Sequence, residues 1–153
     1  MRKTLAHRFR VLEALMLLCF AWLCVRLVPF RIASRLLGRP ESAAQLPIAC
    51  AETDKTGQAQ ALNVKTALKS ASARLPWIST CLMQVLAGRL MLAHRGVASQ
   101  TYFGVQRHLA SDEFKAHAWL CSAIIDVAGG ALADNYHPIA TFIAGPSTNT
   151  RRP

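Results

Sequence analysis

The chain lacks the marks of several large function classes. It has no Cys-x-x-Cys pair and no Cys/His cluster with zinc-ligand spacing, and its five cysteines (19, 24, 50, 81 and 121) are odd in number and widely spaced. That pattern excludes a disulfide framework and points to a reducing, cytoplasmic setting with no metal or other cofactor. No phosphate-binding glycine loop is present. The basic residues lack the interleaved aromatics of a stacking platform, so a nucleic-acid partner is not expected. A membrane span is also missing. The apolar run from Ala14 to Val25 is closed by Glu13 and Arg26 after 12 residues, where a spanning helix needs about 20. The following Arg26-Leu-Val-Pro-Phe-Arg31 offers no small-x-small cleavage site, so this helix is expected to stay in the mature protein.

What remains is a chain of 153 residues, 52% hydrophobic and 17% charged, which suits one domain with a real core. The net charge of +10 is unevenly placed: residues 1–39 hold eight Lys or Arg against Glu13 alone. A basic amphipathic segment of this kind attracts acidic partners or a membrane surface. Placement of residues 9–37 on the core and placement on a membrane surface both stay open at this stage.

Periodicity predicts a helix over residues 9–28, ended by Pro29, and a shorter one over 30–37, stopped by Gly38 with Pro40 beyond. Residues 41–60 mix Ser, Ala, Gln, Thr, Pro and Gly without period and read as a connector. Helical spacing returns over 62–73 and again over 79–93, which sets Cys81 in a first helical turn. Short aromatic and β-branched runs then predict strands over 101–106, 116–121, 124–128 and 139–142. Helices followed by a small antiparallel sheet make an α+β order. The segmentation is a basic helical piece (1–40), a connector (41–61), a core (62–145) and a frayed tail (146–153).

Two residues stand out chemically. A thiol at a helix amino terminus with an imidazole beside it is favoured as the thiolate, and Cys81 is placed to receive both, with His117 on a predicted strand. A third group should orient the imidazole, and the acids downstream are Asp126 and Asp134. Asp126 is preferred. With a two-residue turn at Ser122-Ala123 it falls opposite Trp119, on the face of His117. The histidines at 7, 94, 108 and 137 and the remaining cysteines suit ordinary surface or core positions.

Taken in order, Leu75-Pro-Trp-Ile-Ser-Thr-Cys-Leu82, Arg95-Gly-Val97, Tyr102-Phe-Gly-Val105, Phe114-Lys-Ala-His-Ala-Trp-Leu120 and Tyr136-His-Pro-Ile-Ala-Thr-Phe142 give the chain its resemblance. It resembles the stand-alone lasso-peptide leader peptidases, which have a transglutaminase-like, papain-related core. The resemblance implies a cysteine peptidase that cuts the leader from a ribosomally made precursor, with Cys81 as nucleophile, His117 as base and Pro76-Trp77 as the approach to the cysteine. It implies three partners: the lasso precursor, a separate leader-binding protein, and an ATP-dependent cyclase that closes the lactam. The chain departs from the family after His-Ala-Trp-Leu, where a Gly-Asp turn is common and Ala123-Ile124 stands here; its acid arrives later, at Asp126. Competing readings are a non-catalytic scaffold for precursor and cyclase, an acyltransferase or transglutaminase using the same Cys-His pair, and a small membrane-associated basic protein.

Overall fold

The structure, a computed structural model, describes residues 2–41, 55–107 and 114–145. The predicted tail, Cys50, His108 and most of the connector lie outside these residues. Helix α1 spans Arg2–Leu27 and buries Val11, Ala14, Leu18 and Ala21 on one side. It begins seven residues before the apolar period does, because nothing between Arg2 and Arg8 breaks a helix. Pro29, at φ −55°, then opens the short helix α2 (Phe30–Ala33), which tightens into a 3-10 turn over Ser34–Leu36.

Gly38 takes φ +122°, and a Cβ there would strike the Ile143 carbonyl, so the chain can turn at this point only through glycine. It enters a strand that sequence reasoning missed, β1 (Arg39–Glu41), which pairs with β5 (His137–Ala144) at a sheet edge. Pro40 lies in this strand, where an edge position tolerates its missing donor. Helix α3 (Lys55–Ser72) starts seven residues ahead of the predicted Leu62, so part of the expected connector is helical. Helix α4 (Cys81–His94) is close to its predicted bounds.

The α+β expectation holds. Strands β2 (Ser99–Arg107), β3 (Phe114–Ser122) and β4 (Ile125–Ala128) join β1 and β5 in one antiparallel sheet of order β1-β5-β2-β3-β4. One core joins α1, α3 and α4 to a sheet face through Leu18, Val64, Leu68, Leu86, Leu92 and Leu120. Small residues such as Ala14, Ala61, Ala67 and Ala87, each fully buried, let the helices pack closely. Arg95 completes the α1–α4 contact with two hydrogen bonds to the Glu13 carboxylate, at 3.0 and 2.6 Å. Held by that guanidinium, Glu13 has its pKa pushed below the ordinary carboxylate value. Among the described residues no helix is long and apolar enough to cross a membrane.

Candidate active site

Cys81 is the first residue of α4 and is partly buried. Thr80 caps the helix: its Oγ1 accepts from the Met83 N–H at 3.4 Å, and its carbonyl takes the Gln84 N–H at 3.1 Å. The Gln84 side chain reaches back to Ser79, donating to its carbonyl and to its Oγ. The turn leading into Cys81 is thus fixed from within the helix. At such an end the first backbone N–H groups lack intrahelical partners and carry partial positive charge, which favours a thiolate or an oxyanion.

His117 lies on β3, whose direction follows from its neighbours. Helix α4 turns at Gly96 into β2, and β3 runs antiparallel to β2, so β3 runs in the sense of α4. Two contacts fix the offset. The Ser122 Oγ donates to the Ala98 carbonyl just past the end of α4, and a Cβ on Gly88 would touch Leu120 Cδ2. Cys81 precedes Gly88 by seven helical residues, about 10 Å, and His117 precedes Leu120 by three strand residues, also about 10 Å. Both predicted residues therefore stand at the same end of the α4–β3 layer.

Leu120 faces α4, so by alternation His117 and Trp119 project from the other face of the strand. There the imidazole is 9% exposed, with the Tyr136 ring 4.9 Å and the Trp119 ring 6.1 Å away between centroids. Trp119 stacks in turn on Tyr102 at 5.4 Å, and Gly104, opposite His117, leaves room for the indole. The His117 Nε2 is 2.8 Å from the Gly129 carbonyl oxygen. A carbonyl only accepts, so Nε2 carries the hydrogen in that contact and the neutral ring keeps its lone pair on Nδ1. Gly129 sits at φ +79°, where a Cβ would meet the Ala118 carbonyl, Trp119 and His117 itself.

The predicted third residue is placed differently from expectation. The hairpin turns at Ala123-Ile124, with Ala123 at φ +49°, rather than at Ser122-Ala123, and this pairs Asp126 with Cys121 instead of Trp119. Asp126 keeps the face of His117 but lies further along the sheet. Its Oδ1 accepts the Gly130 N–H at 2.9 Å, and its Oδ2 is 3.5 Å from Lys65 Nζ. The acid thus holds Gly130, and Gly130 adjoins the carbonyl that holds His117. Asp134 is exposed in the 3-10 turn Gly130–Asn135. Among the described residues no hydrogen bond joins Cys81, His117 and Asp126 to one another, and no group of three His, Cys, Asp or Glu is arranged to hold a metal ion. Sequence reasoning missed Gly129, whose contribution is a backbone carbonyl; the Gly129-Gly130 pair was the available signal.

A family model for the transglutaminase-like superfamily matches residues 24–141, well over half of the chain. The chain belongs to the transglutaminase-like superfamily. The match runs from the last turn of α1 into β5, and so includes Cys81, His117 and the Gly129 turn. No curated protein and no solved structure matches the chain. Members of the superfamily are typically cysteine peptidases or acyltransferases, and both chemistries begin with a thiolate attacking a carbonyl.

Proposed function

We propose that this member of the superfamily is a cysteine peptidase that removes the leader from a lasso-peptide precursor before macrolactam formation. The observation that carries the proposal is the pairing of level and chemistry: a thiol on the first residue of a capped helix, and a tautomer-fixed histidine at the same end of the layer. His117 projects from the face of β3 away from α4, so the scheme requires the imidazole to meet the thiol around the end of the layer. There its Nδ1 lone pair takes the Cys81 proton, and the thiolate attacks the carbonyl of the leader's last residue. Backbone N–H groups at the start of α4 stabilise the oxyanion. As the tetrahedral species collapses, the imidazolium gives its proton to the departing amine, which is the amino group of the core peptide. Water then attacks the thioester, losing a proton to His117, and releases the leader as a free acid. The freed amine is the nucleophile a lactam-forming, ATP-dependent cyclase needs. A separate leader-binding protein presents the precursor. In this scheme Asp126 acts through Gly130 and Gly129, as a positioning residue.

A second reading, a non-catalytic scaffold for precursor and cyclase, is favoured by two observations: His117 projects from the face of β3 opposite α4, and the thiol, the imidazole and the Asp126 carboxylate share no hydrogen bond among the described residues. One experiment separates the readings. A lasso precursor encoded beside this chain is incubated with its leader-binding protein and either the native chain or Cys81→Ala, and the products are weighed by mass spectrometry. Cleavage at the leader–core junction by the native chain alone supports the peptidase. Cleavage by both removes Cys81 from the mechanism, cleavage by neither favours the scaffold, and a leader joined to an added amine marks an acyltransferase.

A further inference from the structure

Helix α1 is apolar on two opposite sides. The side carrying Ala14 and Leu18 is buried against α3 and α4. On the other side Leu5, Phe9, Leu12 and Met16 are 57, 64, 54 and 67% exposed, and the row continues to Leu27, itself 71% exposed. A helix that is apolar all round normally has both sides covered, and a contiguous exposed patch of this kind marks an interaction surface. In α2, which follows, Phe30 and Ile32 are each 53% exposed, Phe30 resting edge-on against Phe103.

The spacing of the row shows what shape of partner it fits. From Leu5 to Leu27 it advances by four, three, four, four, three and four residues, or about 3.7 residues per turn. That is close to the period of the helix itself, so the row runs straight for about 33 Å. The common left-handed seam for a second helix would repeat every 3.5 residues and wind around the axis, whereas this spacing suits a flat surface or the rarer right-handed seam, between which charge decides. A straight apolar row suits a flat surface.

Charge identifies the surface. Exposed Arg8 and Arg26 border one flank of the row, and exposed Arg31 and Arg35 stand beside Phe30 and Ile32. Glu13, the one acid in residues 1–39, is occupied by Arg95. A second copy offers these arginines no free acid. Laid antiparallel it sets one arginine flank against another, and laid parallel it sets them against the flank whose acid, Glu13, is held by Arg95. An anionic lipid surface offers the opposite sign.

We infer that the exposed face of α1 and α2 docks this protein on an anionic lipid bilayer, with α1 in the plane of the interface and the catalytic layer on the water side. Side chains of this composition on a surface helix enter the boundary between headgroups and acyl chains.

The test is co-sedimentation of the full chain with vesicles of phosphatidylcholine alone and with vesicles also containing about one-third phosphatidylglycerol, at low and high salt. The native chain is expected to bind the anionic vesicles at least ~10-fold more tightly than the neutral ones, and less tightly as salt rises. Leu12→Glu with Met16→Glu should abolish binding without lowering the unfolding temperature, because both side chains face outward; Arg8→Glu with Arg26→Glu should weaken it by roughly thirtyfold or more. Failure of the native chain to bind either vesicle would overturn the inference, as would equal binding to both. So would light scattering that shows a dimer dissolved by the Leu12 and Met16 changes. The lipid series uses the native chain and no precursor, so its outcome is independent of the peptidase assay.

Discussion

Replacing Asp126 by Asn and by Ala separates two ways in which an acid can serve His117. In a direct role the negative charge faces the imidazole, and both variants lose it alike. In the geometry found here the carboxylate holds the Gly130 N–H at 2.9 Å, and its Lys65 partner is 3.5 Å away across a pair of side chains 43% and 37% exposed. A screened pair of that kind contributes about 0–1 kcal/mol. A backbone N–H bonded to a charged acceptor is worth about 1.5–3 kcal/mol, and to a neutral one about 0.5–1.5 kcal/mol. Asn keeps an oxygen at the Oδ1 position, so Asp126→Asn should cost about 1 kcal/mol of stability and Asp126→Ala about 2–3 kcal/mol. If half of the difference is felt at the Gly129 carbonyl, precursor cleavage falls roughly tenfold in the Ala variant and only about two- to threefold in the Asn variant. Urea unfolding and single-turnover cleavage of the two variants side by side make the comparison. Equal loss of several orders of magnitude in both, with stability little changed, would refute the positioning role and return the charge to His117.

Two further outcomes follow from the same geometry. Gly129→Ala adds a Cβ against the Ala118 carbonyl at φ +79°, and should destabilise by more than the ~1–2 kcal/mol of left-handed backbone strain. Gly96→Ala, at φ +65° with nothing within 4 Å, should pay the strain alone, and denaturant midpoints of the pair show the difference. Because Arg95 lowers the Glu13 pKa, folding binds fewer protons there. The stabilisation is complete above the ordinary carboxylate value of 4.5 and is lost as pH falls through the folded value. Urea midpoints followed from neutral to acid pH should fall less steeply for Glu13→Gln than for the native chain, starting from a lower neutral value.

Elements with a clear local signal were legible in the sequence: α4 with its apolar Val85, Leu86 and Leu92, and β3 with its short run around Trp119. The elements that were not legible depend on distant partners. Strand β1 is three residues long and exists because β5 pairs with it, as Arg39 meets Ile143. The first seven residues of α3 carry little apolar signal; Gly57 is nonetheless buried, as contact rather than pattern dictates. The register at β4 was misplaced because Ala123 adopts a positive φ that alanine seldom takes, so the turn lay one residue beyond the expected place. Of the two cysteines in the apolar run of α1, Cys19 is exposed and Cys24 buried, a difference set by the side of the helix each occupies. Of the site, the types and sequence positions of Cys81 and His117 were readable, whereas a backbone carbonyl acting on the imidazole leaves no side-chain signature.

The union of α1 with α4 also sets an order of events during synthesis. Leu18 waits for α3 and α4, and Glu13 for Arg95, which is 82 residues beyond it. Between Leu27 and His94 the ribosome adds 67 residues, which takes roughly 3–13 s at typical elongation rates. Until α3 emerges the nascent helix has neither apolar side covered, and until α4 emerges its core side is incompletely covered, so a bilayer or a chaperone meets it before its whole domain does.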